Sequence, residues 1–227
     1  MLRKARITLR KMIEFKGVSK RYSTRSGVYT VLQDVTFRLQ PGDAIGICGH
    51  NGAGKSTLLK LIAGVQRPSA GTISRQMSVS WPIGYASAFQ SSLTGADNVR
   101  FIARIYGRPI KETLAYVEDF AELGPYMAMP IKTYSAGMMA RLAFATSLAV
   151  EFDCYLVDEV TAAGDDRFRQ RCHDALVTRR ESGTLVMVSH DPATLREYCV
   201  TGAVVKDATV RFFVTIDEAL ADYSKAA

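Results

Sequence analysis

The chain has 227 residues, 48% of them hydrophobic, which is enough apolar material for one large domain or two small ones, and its formal net charge is +7. No apolar run approaches the ~20 residues that cross a bilayer, and the basic start Met1-Leu2-Arg3-Lys4-Ala5-Arg6 leads into charge rather than into the apolar stretch of a secretory signal, so work at a membrane requires a partner's spanning segments. The positive charge sits almost wholly in residues 1–25, where Glu14 is the single acid, and that confinement argues against a nucleic-acid face and for an anionic membrane surface or a solvated tail.

Ile13-Glu14-Phe15-Lys16-Gly17-Val18 alternates as a strand does, and Val31 to Leu39 does so again before Pro41-Gly42 turns the chain. Between them Ser19 to Gly27 reads as a polar loop whose aromatic, Tyr22, offers a face on which a base can stack. Asp43 to Cys48 is an apolar strand, and Leu58, Leu59, Leu61 and Ile62 recur at helical spacing. The segment joining them, Gly49-His50-Asn51-Gly52-Ala53-Gly54-Lys55-Ser56-Thr57, carries the pattern G-x-x-x-x-G-K-[ST]. Its glycines let backbone N–H groups approach phosphate oxygens at a helix N-terminus. Lys55 adds a full positive charge, and Ser56 is placed to put its hydroxyl on Mg²⁺.

Arg67 to Gly71 is a turn, Thr72 to Ser80 an extended segment ending near Trp81-Pro82, and Gln90 follows. Thr94 to Leu123 is helical with a break at Gly107-Arg108-Pro109, Pro125 to Pro130 is a loop, and Tyr134-Ser135-Ala136-Gly137-Met138 opens an apolar helix through Ala149. Cys154-Tyr155-Leu156-Val157 is a short strand ending in adjacent carboxylates. Asp158 suits holding a metal ion beside a phosphate chain, and Glu159 suits polarising an attacking water. A basic amphipathic helix from Asp165 to Glu181 and a buried-type strand from Thr184 to Ser189 lead to His190 at a strand's carboxyl end, where parallel α/β sheets bind ligands. Pro192 to Tyr198 reads as a helix, Ala203 to Phe213 as a hairpin and Ile216 to Ser224 as a helix. The cysteines Cys48, Cys154, Cys172 and Cys199 form no C-x-x-C pair and read as reduced thiols of a cytosolic protein rather than as metal ligands.

In order and spacing, these motifs resemble the ATP-binding cassette of ABC transporters over nearly the whole chain. The resemblance implies a P-loop α/β fold: one ATPase domain over residues 1–227, with a mostly parallel core sheet, an antiparallel β-rich N-terminal part, a basic extension at 1–12 and an inserted α-helical subdomain at 91–150. It implies the cofactors ATP and Mg²⁺. The phosphate loop from Gly49 through His50, Asn51, Gly52, Ala53, Gly54, Lys55 and Ser56 to Thr57 binds the nucleotide, with Tyr22 stacking on adenine and Asp165 matching the aspartate loop. Ser56, Gln90 and Asp158 serve the metal, and Glu159, His190, Lys55 and Gln90 serve catalysis. Ser135 and Gly137 keep the phosphate-facing positions of a signature that usually reads Leu-Ser-Gly-Gly-Gln. Ala136, Met138, Val160 and Gly164 depart from the family pattern.

Ala88 to Gly95, the altered signature and Asp158 to Asp165 look most like the ATPases that export capsular polysaccharide. That likeness implies an ATP-sandwiched homodimer working with two copies of an integral membrane permease on the cytoplasmic face of a bacterial inner membrane, with no nucleic-acid partner. O-antigen, teichoic-acid or other transporter ATPases share the motifs. A soluble ABC ATPase acting on nucleic acid fits less well, because the stretch from Thr57 to Ser135 leaves no room for a long coiled coil. No guanine-reading Asn-Lys-x-Asp is present, which disfavours a GTPase.

Overall fold

The computed structural model describes residues 11–25, 27–86, 89–159 and 165–225. Strands β1 (Ile13–Thr24) and β2 (Gly27–Leu39) pair antiparallel; β3 (Ala44–Cys48) then enters a second sheet, and β4 (Ala70–Arg75) returns to the other edge of β1. The stretch from Ser19, expected as a loop, continues β1: Tyr22 lies opposite Tyr29 and Thr24 opposite Gly27. Register shifts between Phe15 and Lys20 turn Val18 and Ser19 inward together. Such bulges erase the period-two pattern by which a strand is recognised in sequence.

The segment from Thr72 to Ser80, expected as one extended piece, splits between sheets, because β5 (Val79–Pro82) leaves β4 behind and joins the second one. With β6 (Cys154–Asp158), β7 (Thr184–Val188), β8 (Thr201–Lys206) and β9 (Thr209–Phe213), the order there is β5-β6-β7-β3-β8-β9. Neighbours are parallel except β8 and β9, which form the expected hairpin. Every residue of β3 and β7 is buried, as a parallel sheet covered on both faces requires.

One covering layer is α1 (Lys55–Ile62). Its Leu58, Leu59, Leu61 and Ile62 fill the space between Ile45, Ile47, Val186 and Val188 of the large sheet and Ile13, Phe15 and Leu32 of the small one. A separate helical layer comprises α2 (Gly95–Ile105), α3 (Ile110–Ala121) and α4 (Ala136–Ala149), with the predicted break at Gly107 to Pro109 between the first two. The opposite sheet face carries α5 (Asp166–Ser182), α6 (Pro192–Tyr198) and α7 (Ile216–Lys225), which pack Phe168, Leu176, Leu195 and Ile216 against Tyr155, Val157, Leu185 and Met187. All four cysteines are free and buried, and burial pushes the Cys154 thiol up to about 12.

Helix α7 sits close on the sheet because Gly202 of β8 faces it without a side chain. A Cβ there lands 2.3 Å from the Cβ of Ala219 and 3.2 Å from Ile216 Cδ1. Ile216 Cδ1 can turn aside, but the Ala219 Cβ is fixed to the backbone of α7 and cannot, so Gly202→Ala is expected to destabilise the fold by about 1–3 kcal/mol. Calorimetry would register this as a drop of several degrees, at ~2–4 °C per kcal/mol for a chain of this size. An unchanged midpoint would show that α7 is not tightly docked.

Candidate nucleotide site

The strand order brings the motifs together. Strand β7 lies between β6 and β3, with Asp158 paired to Val188 and Ile47 also paired to Val188, so three carboxyl ends sit side by side. They open on a cavity of about 250 Å³ lined by Val31, Asn51, Gly52, Gly54, Lys55, Ser56, Thr57, Asp158, Glu159, Val188 and His190.

The loop after β3 is shaped by glycine at two positions that tolerate nothing larger. Gly49 has φ 154°, and a Cβ there meets the Val205 carbonyl oxygen at 2.6 Å. Gly54 has φ 112°, and its Cβ meets Val31 Cγ1 at 2.8 Å. Gly54 is also the N-cap of α1 and supplies no side chain to the first-turn amides, which leaves N–H groups pointing where an anion can collect them. Lys55, a residue only 7% exposed, curls its side chain back over the loop and donates to the carbonyls of Gly49 (2.5 Å) and His50 (3.0 Å). Burial lowers its pKa, opposed by the charges of Glu159 and Asp158.

Across the cavity the two carboxylates differ in environment. Asp158 is half-buried and accepts a hydrogen bond from Ser56; burial, and then repulsion from Glu159, raise its pKa. Glu159 is exposed, with a left-handed φ of 51°, its N–H held by the Val188 carbonyl at 2.9 Å and its Oε1 2.9 Å from His190 Nε2. That backbone twist aims the second acid away from the first and onto the histidine.

The Ser56 hydroxyl and Asp158 carboxylate make a hard-oxygen pair. Among the described residues no group of three or more His, Cys, Asp and Glu gathers to cage an ion. Two hard oxygens suit a cation of the Mg²⁺ type, which completes its shell with water and phosphate.

The raised Asp158 carboxyl also has a stability consequence. Its folded pKa lies above its unfolded one, so the charged form penalises the fold. The penalty is absent below the unfolded pKa and reaches its full size once pH has risen through the folded pKa. Asp158→Asn is thus expected to raise the unfolding midpoint of the nucleotide-free chain at pH 7, with the gain fading as pH falls through the folded and then the unfolded pKa. A pH series of melting curves checks this, and a lower midpoint at pH 7 contradicts it.

Other expected site residues lie outside the cavity. Tyr22 packs against the cluster around α1, donates its hydroxyl to Gln66 Oε1 at 2.6 Å and has Lys20 Nζ over its ring at 5.1 Å. Gln90 precedes α2 and exchanges backbone hydrogen bonds with the buried Asn98 side chain, leaving its own side chain exposed. Ser135 caps α4 by accepting from the Met138 N–H at 3.2 Å, with Gly137 in the first turn. Asp165 caps α5 by accepting from the Phe168 N–H at 2.9 Å and takes a second bond from Arg141 at 2.9 Å; the cap, and then Arg141, hold its carboxyl below the usual range.

Within the loop, Ala53 donates its N–H to the His50 carbonyl, and the His50 ring lies 5.4 Å from that of Tyr223 on α7. Val31, Arg141 and Tyr223 were not anticipated in sequence, because nothing local separates them from ordinary strand and helix residues. Val160 and Gly164, two of the expected departures, Ala88 ahead of Gln90, and residues 1–10 lie outside the described residues.

A family model described as "ABC transporter" matches residues 32–162. The chain is 50% identical to the capsule polysaccharide export ATP-binding protein CtrD of Neisseria meningitidis serogroup B, covering 94% of this chain and 99% of that one. It is 45% identical to the polysialic acid transport ATP-binding protein KpsT of Escherichia coli, at the same coverages. Among solved structures, a dimeric post-hydrolysis state of the ATP-binding cassette MJ0796 bound to ADP and Pi superposes with a TM-score of 0.76 at 22% identity, covering 88% of this chain and 97% of that one. At that identity the likeness speaks for the fold alone.

Proposed function

The chain belongs to the ABC transporter family, and on that premise we infer that it is the ATP-hydrolysing subunit of an exporter that moves capsule-type polysaccharide across a bacterial inner membrane. The observation that carries the ATPase chemistry is the 2.9 Å contact between Glu159 and His190 across the cavity from the phosphate loop. The cargo rests on relatives named for capsule polysaccharide export and polysialic acid transport, which align over 94% of this chain.

In this reading the loop amides and Lys55 bind the phosphates and stabilise the charge that develops as the γ-phosphoryl group transfers. Lys55 leaves the Gly49 and His50 carbonyls to do so. Ser56 and Asp158 would hold Mg²⁺, which would supply neutralisation of phosphate charge. Glu159 orients a water in line and accepts its proton; His190, bonded to the same carboxylate, holds it in place and contacts the γ-phosphate. Tyr22 stacks on adenine once it yields its present packing. Gln90, exposed ahead of the helical layer, senses the metal and a permease.

Ser135 and Gly137 stand at the start of α4, outside their own chain's cavity. That placement supports a site completed by these residues of a second copy, so the working form is a homodimer closing on two ATP molecules. Asp165 belongs to the same contact. Residues 91–150 form the helical subdomain within a single domain.

No described helix is long and apolar enough to cross a membrane. The relatives named for capsule polysaccharide export and polysialic acid transport support a membrane partner: two permease copies supply the path, and the chain sits on the cytoplasmic face. The basic N-terminal residues 1–12 rest on anionic lipid. A direct test is to disrupt the gene in its own cell. Surface polysaccharide should fall and accumulate inside, with recovery by the wild-type chain and none by Glu159→Gln; unaltered surface polysaccharide would reject the cargo assignment.

A further inference from the structure

Where the helical layer meets α5, charged side chains converge on one carboxylate. Glu122, the C-cap of α3, lies within 3.7 Å of Arg141 on α4, 3.0 Å of Arg167 and 2.9 Å of Arg171, both on α5. Arg171 also reaches Asp119 at 2.7 Å, and Arg141 reaches Asp165 at 2.9 Å. Glu122 has a left-handed φ of 52°, a helix-end conformation that usually selects glycine. Its carboxylate accounts for a larger residue there. The Arg141 side chain is only 16% exposed, so its charge is poorly screened and fixed in direction.

The two ends of α4 are held differently. Near its C-terminal end, Trp81 of β5 donates its Nε1 hydrogen to Ser147 Oγ at 2.8 Å and packs tilted against Tyr106 and edge-on against Phe152, at 5.2 and 5.5 Å between ring centroids. That end is an apolar anchor to the sheet. The other end, which carries Ser135, is tied through Arg141 and Glu122 to the first turns of α5.

We propose that Glu122 and Arg141 are positioning residues that lock the start of α5 to the α3–α4 layer, so that the Ser135–Gly137 turn and Asp165 meet a second copy of the chain as one rigid unit. The lock rests on the shared-site reading above. It acts on closure of the pair of chains and leaves the phosphate loop of each chain untouched, since no member of the cluster lines the cavity. Turnover at saturating ATP therefore depends on it and the affinity for ATP does not.

The test compares the wild-type full chain with Glu122→Gln, Arg141→Gln and the double variant. Steady-state ATP turnover and amide hydrogen exchange at Phe168 and Arg169, whose N–H groups Asp165 accepts, are measured on each. Each single variant should lose at least about five-fold in kcat with KM for ATP within about two-fold. The double variant should be no slower than the slower single one, because residues acting as a unit are not additive. Exchange at both amides should rise by about five-fold or more as the first turn of α5 loosens.

A kcat within about two-fold of wild type in both singles overturns the lock, and so does a double loss equal to the product of the single ones. Unchanged exchange overturns it as well. If Arg141→Gln fails to fold, Glu122→Gln, whose side chain is one-third exposed, decides the matter by its kcat and exchange. A wild-type chain that does not hydrolyse ATP sinks the proposed function instead, and exchange alone then judges the lock.

Discussion

Glu159→Gln is expected to lower ATP turnover by about 10²–10⁴-fold, the range for loss of a positioned proton acceptor, while ATP binding stays close to wild type. Glutamine keeps the volume of the side chain and its link to His190, now 2.9 Å from the carboxylate, and leaves untouched the backbone bond from residue 159 to the Val188 carbonyl. What it removes is the basic carboxylate that takes a proton from water, since an amide oxygen accepts hydrogen bonds but is far too weak a base to hold that proton. It also removes the negative charge that raises the Asp158 pKa, so the pocket for a phosphate-bound cation is preserved or improved. Binding without turnover should trap the closed pair of chains. Phosphate release and size-exclusion chromatography with ATP check both halves, and wild-type turnover by this variant would remove Glu159 from the chemistry.

Lys55→Ala should act on the opposite side of the cavity and at an earlier step. Charged hydrogen bonds are worth about 1.5–3 kcal/mol each, so losing the ammonium is expected to weaken ATP binding by roughly 10–150-fold. The fold should tolerate the change. Burial disfavours the charged form of Lys55, and its partners in the nucleotide-free chain are two loop carbonyls that water can satisfy once the side chain is gone. A titration with a fluorescent ATP analogue and a melting curve of the nucleotide-free chain separate the two effects. Wild-type affinity in this variant would mean that Lys55 does not leave the Gly49 and His50 carbonyls for phosphate.

The contrast between these residues and the others shows what was legible before folding. Gly49 to Thr57 could be read because its chemistry is local: glycine spacing, a preceding apolar strand and a following helix fix the backbone. Ser135 declared itself by sitting at the start of a helix, which it caps. Asp165 is legible as a nucleotide-site residue only through the family resemblance; in the folded chain its carboxylate is engaged by its own helix and by Arg141. Tyr22 reads as loop-borne in sequence, yet it sits in a paired strand whose bulges hide the alternation.

By itself, then, the sequence determined most of the elements and the residue types at strand and helix ends, since hydrophobic period and turn chemistry depend on neighbours a few positions apart. It determined the α/β class and the phosphate loop for the same reason. Only the tertiary structure decided that β7 lies between β6 and β3, and so that His190 meets Glu159, and that three arginines share Glu122. Those contacts join residues distant in the chain, and their partners are selected by sheet order and packing, which no local pattern encodes.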